Sequence, residues 1–153
     1  MYITLLTLHS IVRWIVLVLL LFAVYRAVTG YFRRRVFSGT DNAVRHWTAT
    51  AAHIQLVIGM ILYFKSPLVK AWWKIKGSLL PFDYKFFSLL HLVLMFAAIV
   101  VLTVGSAKAK REMTDRKKFS TMLIWFVVAL LLILIAIPWP FSPLVKRPYI
   151  RMF

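Results

Sequence analysis

The residues with chemical capacity in this chain are few: His9, Arg13, His53, His91 and the thioethers Met60 and Met95. A neutral imidazole can ligate a metal or a haem iron. An arginine inside an apolar run is a charge that needs a partner. There is no cysteine. That removes disulfides, thiolate zinc sites, iron–sulfur clusters and covalent haem attachment through Cys-x-x-Cys-His. The four carboxylates, Asp41, Asp83, Glu112 and Asp115, all lie outside the apolar runs. Two-carboxylate hydrolysis, carboxylate-bridged metal pairs and intramembrane acidic proton relays are therefore not expected. No Gly-rich phosphate loop and no Ser/His/Asp arrangement is present. A cofactor here would be held by histidine, methionine, hydroxyl or carboxylate groups.

The elements that position these residues follow from composition. The chain has 153 residues, 62% of them hydrophobic, with a net charge of +16 and a mean hydropathy of +0.82. A soluble domain is only about 45–50% apolar, and a nucleic-acid binder would not be this hydrophobic. The length allows one domain, 1–153. Four apolar stretches are long enough for a bilayer, which needs roughly 20 residues. They run over 3–25, 43–64, 86–107 and 119–137, with Pro138 and Pro140 stopping the last. The first lacks a basic leader and a small-x-small cleavage site, so it is expected to stay as a helix. The fold expected is all-α, an integral membrane four-helix bundle with up-down neighbours.

The connections are short and basic. Nineteen of the twenty Lys and Arg residues lie in connections, helix ends and tail, where anionic headgroups favour them. The first and third connections carry eleven basic residues against eight in the second and the tail. The positive-inside rule then places both termini outside and the first and third connections in the cytoplasm. In the second connection, Trp72, Trp73, Ile75 and Leu79 alternate with lysines. This pattern suits either a short interfacial helix over 67–80 or an aromatic belt with snorkelling lysines.

Function should sit where polar groups occur at membrane depth. His9 and Arg13 are four apart and share a helix face. Arg13 has no carboxylate in any span, so its partner must be a loop carboxylate such as Asp83, a backbone carbonyl, a lipid phosphate or an anionic cofactor group; the alternative is snorkelling. On the second helix His46, Thr50, His53, Val57 and Met60 form one stripe, expected to face the bundle interior with small residues beside it. His46 reads as interfacial. His53 is either a ligand or a neutral imidazole bonded to a neighbouring helix. On the third helix Ser88, His91, Met95, Ala98 and Gly105 share a stripe, with Met95 a ligand or a space filler. His9 and His91 both lie about 8–9 Å below the outer surface, and His53 about 16 Å. A b-type haem needs two axial imidazoles at similar depth on facing helices. His9 and His91 match best, with His53 the alternative ligand and Arg13 placed to meet a propionate.

Three segments, Leu8–Trp14, His53–Phe64 and Gly105–Lys108 with Asp115–Phe119, resemble a family of small four-span Bacteroidetes membrane proteins labelled cytochrome b-like. The resemblance covers most of the chain. It implies His9, Arg13, Trp14, His53 and His91 as a polar signature. Relatives often carry Glu-His-Pro where this chain has Leu90-His91-Leu92, and Gly-His-Ser where it has Gly105-Ser106-Ala107. An inner-side histidine is thus absent here. The expected function is haem b binding and electron transfer within the membrane, with quinone as a candidate redox partner, rather than a stand-alone enzyme. Two alternatives stand beside it. One is a cofactor-free accessory subunit of a larger respiratory or secretion complex, with partner subunits or further copies of itself. The other is a small metal-handling or transport protein using His53, Met60, His91 and Met95. No nucleic-acid partner is expected.

Overall fold

The computed structural model describes residues 2–75 and 80–149. Among them there is no strand, and four helical rods are long and apolar enough to cross a membrane. Helix α1 spans Tyr2–Phe32 and α2 spans Gly39–Lys65. A short α3, Pro67–Lys74, follows. The third rod consists of α4, Phe82–Lys85, a π-helical turn, Phe86–Leu90, and α5, His91–Arg111. Helix α6 spans Asp115–Ala136. The chain is thus an all-α, multi-pass membrane protein. Helix α1 packs on α2 and α6, and α5 packs on the same two. Helices α1 and α5 therefore face one another across the diagonal, as expected for up-down neighbours.

The rods are longer than the apolar runs because polar residues form their ends. Helix α2 starts at Gly39 because Ser38 and Asp41 form a reciprocal capping box. Helix α6 starts at Asp115, where the Thr114 side chain accepts from the Lys117 N–H. Helix α1 continues to Phe32 past Arg26, whose charge meets Asp41 at 2.7 Å. Pro67 opens α3, where its missing N–H costs nothing.

The core is apolar and closely packed. Leu20, Ala23, Ala27, Ala98, Leu102, Met122, Phe126 and Ala129 are fully buried. Two glycines allow close approach. A Cβ at Gly30 would meet the Phe119 ring at 2.3 Å, and one at Gly105 would meet the Trp125 Cβ at 2.2 Å. Within the segment read as an interfacial helix or an aromatic belt, a short helix forms, α3, with Trp73 exposed and its indole N–H donating to the Tyr63 hydroxyl at 3.1 Å. Residues 76–79 of that expected segment lie outside the described residues.

A charged clasp holds the end of the bundle where α1 meets α2. Asp41 is completely buried and accepts from Arg26, the Ser38 N–H and the Ser38 hydroxyl, with Arg35 at 3.6 Å. One turn on, the buried Arg45 donates to the Ser106 carbonyl at 2.9 Å and hydroxyl at 2.6 Å, and to Asn42. Asp41 and Arg45 therefore act as interior residues of the helix end, not as parts of a solvated connection.

Candidate functional site

The opposite end of the bundle contains a cavity of about 170 Å³. Its wall is mostly apolar and draws on α1, α2, α3, α5, α6 and the tail after α6. Its polar groups are Tyr2, His9, Ser10 and Arg13 from α1, Gln55 and Tyr63 from α2, Ser66 from the turn, His91 from α5 and Arg147 from the tail. Met60 and Met95 also line it.

His9 and His91 come together across the diagonal, with ring centres 6.4 Å apart and planes at 67°. Two local features put them there. Gly59 on α2 lies under the His9 ring, since a Cβ there would be 3.2 Å from His9 Cε1. On the other side, the π-helical turn ends at His91, whose backbone N–H donates to the Phe86 carbonyl. Such a turn adds a residue to the helical repeat and re-aims the side chains that follow, and it is frequent at functional sites.

Each ring is oriented through Nδ1. His91 Nδ1 is 2.8 Å from the Ala136 carbonyl oxygen. A carbonyl only accepts, so in the neutral ring this nitrogen carries the proton and Nε2 keeps a lone pair. His9 Nδ1 is 3.2 Å from the Gln55 side-chain amide nitrogen, which also donates to the His9 carbonyl at 2.9 Å. Neither Nε2 has a hydrogen-bond partner among the described residues.

Arg13, one turn beyond His9, meets the tail. Its guanidinium donates to the Tyr149 carbonyl, and the Trp14 indole N–H donates to the same oxygen at 3.1 Å. Trp14 also packs on Trp139 with ring centres 6.0 Å apart. The tail is anchored again by Arg147, which pairs with Asp83 at 2.6 Å. Of the partners considered for Arg13, the structure supplies a backbone carbonyl. No carboxylate is paired with Arg13 among the described residues. Asp83 is taken by Arg147 instead.

Of the second-helix stripe expected inside the bundle, His46, His53 and Val57 face outward, Thr50 is half-buried and Met60 lines the cavity. His46 and His53 are exposed, and Val57 is 59% exposed. The buried side of α2 is the row Asp41, Arg45, Thr48 and Ala52, leading to Gln55 and Gly59 at the cavity. The reason is packing: Ala49, Ala52 and Gly59 admit the neighbouring helices closely, and the Thr48 hydroxyl satisfies itself on the Val44 carbonyl. His53 makes the hydrogen bonds of a structural imidazole. Nδ1 lies 2.8 Å from the Ala49 carbonyl and Nε2 lies 3.2 Å from the Thr103 hydroxyl on α5. It does not line the cavity. His46 packs beside Trp47 at the helix end, as an interfacial residue would. Gln55, Gly59 and the π-helical turn were not legible as site features.

The pair can be tested against a b-type haem. Two imidazoles bound to one metal ion from opposite sides, at about 2.0–2.1 Å each, have ring centres roughly 6–6.5 Å apart. The observed 6.4 Å matches that separation, while the cavity of about 170 Å³ is smaller than the about 300–1,000 Å³ of a site for a molecule of this size, so a macrocycle between the rings requires the wall to open. Ligation through Nε2 with Nδ1–H held by a backbone carbonyl, as at His91, is the usual outer-sphere arrangement. The buried Gln55 carbonyl oxygen has no hydrogen-bond partner; a turned amide would offer it to a proton on His9 Nδ1. No group of three or more His, Cys, Asp or Glu residues converges among the described residues, whereas a bis-imidazole haem needs two. No family model, curated protein or solved structure matches the chain.

Proposed function

We propose that this chain is an electron-transfer protein of a bacterial inner membrane that binds one b-type haem, whose iron His9 and His91 would hold. The observation carrying this reading is the ring separation of 6.4 Å between imidazoles whose Nε2 atoms are both unengaged. Bound haem would supply a one-electron couple. The protein's part is to fix both rings, exclude water with an apolar wall and place the Arg13 cation one turn from His9. Among the described residues Arg13 meets a neutral carbonyl and the Trp14 ring and no carboxylate, so an anionic propionate would be a stronger partner for it. Positive-inside bias puts both termini and this cavity on the outer side, where a quinone in the outer leaflet is a candidate redox partner.

The test is a visible spectrum of protein purified after haem-replete expression. A Soret band that is lost in His91→Ala is the expected result. A colourless, folded protein removes the reading.

A second reading, a cofactor-free subunit of a larger membrane complex, is favoured by one observation. Helix α2 turns His46, beside Trp47 at its end, and His53, bonded to the Ala49 carbonyl and the Thr103 hydroxyl, outward on a membrane-spanning helix, where lipid disfavours exposed imidazoles. A neighbouring subunit would cover them. Stoichiometric co-purification of a membrane partner supports this reading. A colourless chain that is stable and monodisperse alone counts against it.

A further inference from the structure

We infer that Gln55 is a positioning residue that sets the tautomer of His9, so that the orientation of one buried amide decides whether the cavity presents a proton donor or a metal-binding lone pair at that ring. The metal-binding half rests on the haem reading above. The tautomer half does not.

The argument starts from donors and acceptors. The Gln55 amide nitrogen has two N–H bonds. One points to the His9 carbonyl at 2.9 Å, and the nitrogen lies 3.2 Å from His9 Nδ1. With the amide so placed, His9 Nδ1 accepts and the ring proton sits on Nε2. His91 is the reverse, because the Ala136 carbonyl at 2.8 Å can only accept and so holds the proton on Nδ1. The two imidazoles therefore face the cavity with opposite character. His9 offers an N–H, and His91 offers a lone pair.

A proton on Nε2 bars His9 from ligating iron through that atom. The remedy is already in place, since the Gln55 carbonyl oxygen is buried without a partner. Turning the amide brings this oxygen to His9 Nδ1, where it accepts a proton and leaves the Nε2 lone pair free. The proton leaves Nε2 and one is taken up at Nδ1 through water, so the ring stays neutral and no net proton is released. The turn gives up the donation to the His9 carbonyl, so the haem-free protein keeps the donor form. Gln55 is thus a two-position element, and ligation selects the second position.

The experiment uses the full chain in lipid nanodiscs, with nitrogen-15 label in histidine. His9→Asn and His91→Asn variants assign the resonances. In haem-free wild type, the expected pattern is His9 protonated at Nε2 and His91 at Nδ1. Gln55→Glu presents only acceptors and should move the His9 proton to Nδ1. It should also bind haem at least tenfold more tightly. At fixed ambient potential, its reduced-to-oxidised ratio should fall at least tenfold, about 59 mV for one electron. Gln55→Leu has neither donor nor acceptor and should give a mixture of His9 tautomers; it tests the inference without a new charge if the glutamate variant fails to insert.

A wild-type His9 protonated at Nδ1, or a Gln55→Leu pattern identical to wild type, overturns the inference. So do equal haem affinities for wild type and Gln55→Glu when both show a Soret band, and these leave the haem reading standing. A wild type with no Soret band but with the expected opposite tautomers removes the haem reading and supports the assignment of Gln55.

Discussion

Asp41→Asn is almost isosteric, and the structure makes it a severe change. Both carboxylate oxygens of Asp41 are used, and every neighbour is a donor. Oδ1 accepts from Arg26 Nε at 2.7 Å, with Arg26 Nη2 at the same distance. Oδ2 accepts from the Ser38 N–H at 3.0 Å and the Ser38 hydroxyl at 2.6 Å. An asparagine amide, in either orientation, points its NH₂ at donors. It also leaves Arg26 and Arg35 without the one anion between them. Removing one partner of a buried pair costs about 3–5 kcal/mol. The Arg26 side chain is 20% exposed and that of Arg35 36%, so water recovers part of this. The expected loss is about 2–3 kcal/mol, or roughly 4–12 °C at about 2–4 °C per kcal/mol. Six tryptophans make intrinsic fluorescence during heating the natural assay in detergent or nanodiscs. The control is Asp115→Asn, at the start of α6, where a lone carboxylate near a helix N-terminus contributes about 0.3–1 kcal/mol. If Asp41→Asn lowers the melting temperature no more than Asp115→Asn does, the clasp is not the stabilising feature described here.

Other expectations follow from single contacts. Gly105→Ala places a Cβ 2.2 Å from the Trp125 Cβ, which is no flexible tip. It should force α5 and α6 apart and cost at least about 2 kcal/mol by thermal melting. Gly59→Ala is milder, since its Cβ would sit 3.2 Å from His9 Cε1. The melting temperature should hold, helped by the helix preference of alanine, which is worth about 0.5–1 kcal/mol, while haem titration should show weaker binding because the ring is displaced. His53→Ala should leave any Soret band unchanged in position, as His53 lies outside the cavity, whereas His91→Ala should abolish it.

The four rods were readable because lipid demands long apolar runs, and composition alone supplies them. Their ends were less readable, since Arg26, Asp41 and Arg45 count as connection residues until their pairing is known. The capping box at Ser38 and Asp41 is a local signal that places the start of α2 at Gly39. The convergence of His9 and His91 followed from depth along the chain, because a fixed rise per residue turns spacing into height. Rotation about the helix axis was harder. On α2, the polar residues at His46 and His53 suggested an inward stripe, but Ala52, Gln55 and Gly59 decide the inward face through size and reach. The π-helical turn before His91 leaves no sequence mark here, since Phe86–Leu90 reads as an ordinary apolar helix. The meeting of Arg13 with Tyr149 joins positions 136 apart, and no local pattern encodes it.

That last contact bears on the order of events during synthesis. His9, Gln55 and His91 are all synthesised with the first three rods, and the Ala136 carbonyl that orients His91 arrives with the fourth. Pro138 and Arg147, which complete the cavity wall, come later in the chain, as does the Tyr149 carbonyl that receives Arg13. While the tail is still being made, the chamber has an open side and Arg13 is uncovered. Once the tail has settled, Pro138 and Arg147 close that side of the wall and the Tyr149 carbonyl covers Arg13.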